Sequence, residues 1–200
     1  MTLRTRIVAV LAAPAAVLSM VACSDTVAED HTAHETATTA PLIADAPAGF
    51  NDADVTFVTT MVQHHAQAVD LAALVPDRSS NPDVVALAER IRAAQEPEIE
   101  AMRVLLVQWR EGEIGAGHGD HGDAMPGMVD DATMTELQSL RGTAFDTLWL
   151  ESMISHHEGA IEMANAELAD GENVDAIALA TTIVATQQAE IDQMAQMLGG

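Results

Sequence analysis

Apolar residues recur at three- and four-residue spacing over four stretches of this 200-residue chain, with polar residues between them. That spacing predicts amphipathic helices. The first opens at Asn51, a capping residue with Phe50 and Val55 placed as a hydrophobic staple. Its inward face reads Phe57, Met61, His64, Ala68, Leu71, and Pro76 ends it. The second begins at Asn81-Pro82, a cap followed by proline at the first helical position, and continues through Leu87, Ile91, Ile99, Met102 and Leu106 to about Trp109. Pro97 inside it predicts a kink, because proline removes a backbone bond. Gly112–Asp131 is a glycine-rich loop carrying His118, His121, Met125 and Met128. Thr133 with Glu136 offers a capping box for a third helix reaching about Ala169, weakened at Gly142 and Gly159. Asn173 caps a fourth, which runs to the terminal glycines. No stretch alternates with strand period. The expected fold is all-α: two helical hairpins forming a four-helix bundle with pseudo-two-fold symmetry.

The symmetry is written in the residues. Met61-Val62-Gln63-His64-His65 returns as Met153-Ile154-Ser155-His156-His157, 92 residues later. At that offset Asp54–Leu106 aligns with Asp146–Leu198 without a gap, and 18 of 53 positions are identical. Such self-similarity marks a duplicated unit. The pairs Gln95/Gln187, Glu98/Glu190, Ile99/Ile191 and Met102/Met194 belong to it. Two departures stand out: Gln67 faces Gly159 in the alignment, and Leu71 faces Met163.

On a helix, residues three and four apart share a face. Met61 therefore stands beside His64 and His65, and Met153 beside His156 and His157. Gln95, Glu98 and Met102 share a second face, as do Gln187, Glu190 and Met194. Packing the two faces of each hairpin together would build a Met–His–Glu–Met cluster in each half. Thioether with imidazole suits copper, above all Cu(I), and Ag(I) by chemical similarity. Imidazole with carboxylate suits Cu(II) or Zn(II), and the carboxylates can instead orient the rings. The loop residues His118, His121, Met125 and Met128 are a further candidate acceptor. Methionine at helical spacing is ordinarily core filler. A histidine pair duplicated with its methionine is harder to read that way. Metal binding should weaken as the histidines protonate below about pH 6.5.

The chain's start places this chemistry. Arg4 and Arg6, an apolar run from Ile7 to Leu18, and Met20-Val21-Ala22-Cys23 have the layout of a secretory signal over residues 1–23. The end resembles a bacterial lipobox, with Met20 in place of the usual leucine. Cys23, the sole cysteine, is the expected lipid attachment, anchoring the exported protein to the outer face of the cytoplasmic membrane. Residues 24–49, rich in Thr, Ala and acids and carrying His31 and His34, read as a flexible tether. Residues 50–200 form the expected metal-binding domain. Without the signal the chain has six arginines, no lysine and 31 acids, a formal charge of −25. Such a surface repels nucleic acid and concentrates cations.

The chain is similar to the domain of unknown function 305 family. The likeness is carried by Phe145-Asp146, Leu150, Met153-Ile154, His156-His157, Gly159-Ala160, Ile161-Glu162-Met163-Ala164, Ala180, Ile183, Gln187, Glu190-Ile191 and Met194. Met125-Pro126-Gly127-Met128 also resembles the methionine-rich connection that precedes this motif in the family. The resemblance implies a ferritin-like bundle, and for some members copper or silver binding through Met and His.

Together these readings predict an envelope metal-binding lipoprotein that captures copper for homeostasis or resistance. Its expected ligands are Met61, His64, His65, Glu98, Met102, Met153, His156, His157, Met163, Glu190 and Met194. Met163 makes the second copy richer in thioether. Two rivals remain open. A ferritin-like di-metal oxidoreductase would need Glu-x-x-His on two helices, and Met61, Val62, Met153 and Ile154 stand where glutamate would be required. A helical interaction module would use the histidines only for packing.

Overall fold

The structure is a computed structural model that describes residues 49–112 and 125–199. The signal, the tether, Cys23, His31, His34, His118 and His121 lie outside the described residues. The described residues form five α-helices: α1 (Asp52–Ala73), α2 (Pro82–Gly112), α3 (Asp131–Ser139), α4 (Gly142–Asp170) and α5 (Val174–Gly199). The described residues contain no strand, and the fold is all-α.

The helix starts follow from capping chemistry. Asn51 Oδ1 accepts from the Ala53 and Asp54 amides, and Asp54 reaches back to the Asn51 amide at 2.6 Å. The pairing satisfies orphan amides that a helix start leaves exposed. Asn81 and Asn173, equivalent residues of the repeat, cap α2 and α5 in the same way. After Ala73 the chain tightens into a 3₁₀ turn at Val75–Asp77 that begins around Pro76. The helix α2 continues through Pro97 to Gly112, three residues past the expected end.

The expected third helix is two helices. Leu140 and Arg141 are extended, and Gly142 sits at φ +61°, a left-handed conformation that glycine adopts without a steric penalty. Asp130, rather than Thr133, caps α3 by accepting the Thr133 amide at 2.8 Å. The break docks on the α1–α2 connection. The Gly142 amide donates to Arg78 O at 2.7 Å, Arg78 donates to Gln138 O, and Arg141 to Asp77 O. These tertiary bonds compensate for the interrupted helix, which is why helical spacing alone did not reveal it.

Two hairpins result, α1 against α2 and α4 against α5, joined mainly along α1 and α4. Two apolar clusters fill the interior, and each mixes the halves. One combines Ala68, Leu71 and Ala72 of α1 with Phe145, Trp149 and Met153 of α4. The other combines Phe57, Val58 and Met61 of α1 with Ala160 and Ala164 of α4. The start of each helix thus packs on the end of the other, so α1 and α4 cross antiparallel. Trp149 Nε1–H donates to Leu71 O at 2.9 Å across this seam.

Candidate metal centre

The crossing point of α1 and α4 falls at His64 and His156. Both are fully buried, as are His65 and His157. The His64 and His156 rings lie 3.8 Å apart, centroid to centroid, tilted by 38°. The neighbouring histidines diverge toward the outer helices. His65 Nε2–H donates to Glu98 on α2 at 2.9 Å, and His157 Nε2–H donates to Glu190 on α5 at 2.7 Å. The two bonds occupy equivalent positions of the repeat. His64 Nε2–H has a different acceptor, the Pro126 carbonyl, at 3.0 Å.

An acceptor at Nε2 fixes the tautomer. Carboxylate and carbonyl oxygens only accept here, so Nε2 carries the proton and the neutral ring keeps its lone pair at Nδ1. The Nδ1 atoms of His64, His65 and His157 are buried without a hydrogen-bond partner, and so are both ring nitrogens of His156. Unpaired polar atoms in a core are costly and call for an explanation. Burial lowers the His64 pKa to about 4, with help from the charges His65 and His157 would carry and against the Pro126 bond. Burial, then the neighbouring imidazoles, lowers that of His156 to about 2. These two rings are neutral across the physiological range, which is the form that ligates a metal. Protonation of this pair therefore sets in well below the pH 6.5 expected from unperturbed histidine.

The same helices bury thioethers. Met61 and Met102 are fully buried in one apolar cluster, and Met153 and Met194 in the other. Met163 sits with the opposite copy: it packs against the cluster of Met61 and Met102. Ten residues of helix separate it from Met153, about 15 Å of rise. Met163 therefore adds a partly buried thioether to the cluster that holds Met61, on the side of Phe57 and Thr60. Gln95 and Gln187 are also buried, and neither polar atom of the Gln95 side chain nor the Gln187 side-chain carbonyl has a partner. Among the described residues, no three His, Cys, Asp or Glu side chains form a group able to hold a metal ion. The donors that remain are imidazole lone pairs and thioethers, a soft set.

Sequence reasoning missed a covering segment. Met125–Val129 lies over the seam, partly buried. Gln67 grips it from α1, accepting the Val129 N–H and donating to the Val129 carbonyl, both at 2.8 Å. The one visible signal was the mismatch of Gln67 with Gly159 in an otherwise matching register.

A second buried pair lies at the start of α1. Asp54 and Glu167 are both fully enclosed. Asp54 accepts the amides of Asn51, Glu172 and Asn173. Burial, then the neighbouring Asp54 carboxylate, raise the Glu167 pKa to about 8.

Known proteins share this architecture. The family profile of the Domain of unknown function (DUF305) matches residues 54–198. The chain belongs to this family. Among solved structures, a DUF305 fragment from Deinococcus radiodurans is 35% identical, with a TM-score of 0.65, covering 77% of this chain and 99% of that one. A Streptomyces coelicolor DUF305 protein described as secreted is 30% identical, with a TM-score of 0.68, covering 74% and 91%. CopM in its Cu(I)-bound form is 28% identical, with a TM-score of 0.59, covering 72% and 94%; CopM has also been solved with Cu(II) and with Ag. No curated protein matches this chain.

Proposed function

We propose that this DUF305 protein is an extracytoplasmic binder of Cu(I), and by the same chemistry of Ag(I), that captures copper at the cell envelope. The observation that carries the reading is the set of four buried histidines with unpartnered ring nitrogens, on helices that also bury Met61, Met102, Met153 and Met194. A soft cation would give those lone pairs the partner that the protein does not. Glu98 and Glu190 then act by orienting His65 and His157 from behind, the usual role of a carboxylate bonded to a ligating imidazole. CopM, solved with copper and silver, supports the choice of metal. Residues 1–23 serve as the export signal, Cys23 as the lipid anchor and residues 24–49 as the tether. No described helix is long and apolar enough to cross a membrane, so attachment would rest on the lipid.

Titration of the purified protein with Cu(I) against a competing chelator tests the proposal. The wild type should withhold copper from the chelator. A variant with His64, His65, His156 and His157 replaced by Ala, checked for retained helicity, should not. Equal retention by the two proteins sinks the idea.

A further inference from the structure

Gln67 and Gly159 stand at one position of the two repeats yet share no chemistry. Both touch the same strap, Met125–Val129. On the α1 side, Gln67 binds the Val129 backbone through both ends of its amide. On the α4 side, the strap backbone lies so close that a Cβ at Gly159 would overlap the Pro126 carbonyl and stand 2.8 Å from Gly127 Cα. Gly127 itself has φ +76°, and a Cβ there would run into Ser155 O. One strap crossing a pseudo-two-fold seam meets the two copies differently, so the repeat had to diverge at this position.

The crossing gives His64 what its three counterparts obtain elsewhere or lack. Glu98 accepts from His65, Glu190 accepts from His157, and the Pro126 carbonyl accepts from His64. His156 is held by neither a carboxylate nor the strap; its one polar neighbour is the His64 backbone, too loosely placed for a well-formed hydrogen bond. We infer that Gln67 is a positioning residue for metal capture: by clamping Val129 it holds the Pro126 carbonyl where it fixes the His64 ring, with the Nδ1 lone pair buried and unpartnered. This inference rests on the metal-binding reading above. His64 is the pre-set ligand of the His64–His156 pair, and His156 is the member left to adjust when the metal arrives. A ligating histidine whose outer-shell partner is removed typically loses ten- to a hundredfold in metal affinity.

The test uses Gln67→Met, which keeps the side-chain length and removes both bonds, and Gly159→Ala, which displaces the strap from the other side. Three readouts are taken on proteins of unchanged helicity: the His64 tautomer by nitrogen NMR without metal, hydrogen exchange of the Val129 amide, and Ag(I) affinity by competition. The wild type should show the Nε2–H tautomer and a slowly exchanging Val129 amide. Both variants should give mixed tautomers, exchange at Val129 at least about tenfold faster, and bind silver about ten- to a hundredfold more weakly. An unchanged tautomer in both variants overturns the inference. So does a changed tautomer with silver affinity within twofold of wild type. Silver binding to neither wild type nor variants overturns the metal reading itself, and the tautomer readout separates that failure from a failure of the strap.

Discussion

His64 and His156, equivalent residues of the two repeats, meet with ring centroids 3.8 Å apart and planes tilted by 38° at the antiparallel crossing of α1 and α4. Two imidazoles this close in a core cannot both carry protons without strong repulsion. Burial first, then the neighbouring imidazoles, His64 among those acting on His156, lower their pKa values to about 4 and about 2. The arrangement makes the pair a conditional feature of the fold, stable only while neutral.

The pH dependence follows. Both folded values lie below the 6.5 of the unfolded chain, so between them the native state binds fewer protons than the unfolded one. Stability contributed by the neutral pair is complete above pH 6.5 and is lost as pH falls toward 4 and 2. Melting curves of the wild type should shift down below pH 6.5, and His64→Gln with His156→Gln should flatten that limb. Silver affinity, measured at pH 7 and pH 5, should change by less than about tenfold through this pair. A collapse of binding centred on pH 6.5 would show that the ligands titrate like free histidine.

Glu167 acts in the opposite sense. Its folded pKa is raised to about 8, so between 4.5 and 8 the native state holds a proton that the unfolded chain releases. Stability therefore falls as pH rises through this window. Above pH 6.5 the histidine pair no longer contributes to the slope, which isolates the carboxyl. Glu167→Gln keeps the shape and removes the titrating charge beside Asp54. It should abolish the decline in melting temperature between pH 6.5 and 8 and raise the melting temperature at pH 8. A variant that keeps the wild-type slope would contradict the paired burial.

Gly142 distinguishes a broken helix from a continuous one. In a continuous helix, Gly→Ala would stabilise by up to about 1 kcal/mol. At φ +61° alanine is strained, and the same change should destabilise by about 1 kcal/mol. No atom lies within 4 Å of the added Cβ, so the sign reports backbone conformation and not a clash. Chemical denaturation of Gly142→Ala reads the answer directly.

The methionines separate ligand from filler. Replacing Met61, Met102, Met153 and Met194 by Leu conserves volume and should cost less than about 1.5 kcal/mol at each site. It removes every fully buried thioether on these helices. Silver affinity should drop by at least about a hundredfold while the helical spectrum stays unchanged. Affinity equal to wild type would make these side chains packing alone.

Much of this was legible in the linear chain because it is local or repeated. Asn51, Asn81 and Asn173 cap the helices they were expected to cap, since an Asn side chain satisfies amides two and three residues onward and needs no tertiary help. The facing of His65 with Glu98 and of His157 with Glu190 could be anticipated from two helical faces recurring at one offset. The break at Leu140–Gly142 could not, because the bonds that stabilise it come from Arg78, over 60 residues away. Met163 illustrates a related limit. Sequence register groups it with Met153, whereas antiparallel crossing puts it against the apolar cluster of the first copy, near Phe57.

The sequence by itself determined the all-α class, the duplicated hairpin and the buried Met and His residues, because helical periodicity and a fixed 92-residue offset survive without knowledge of packing. Only the tertiary structure decided which copies meet. The His64–His156 contact, the buried Asp54–Glu167 pair and the strap clamped by Gln67 all join residues far apart in the chain. Their geometry is set by the angle and direction at which α1 crosses α4. That crossing depends on how whole apolar faces interlock, a property no single stretch of residues carries.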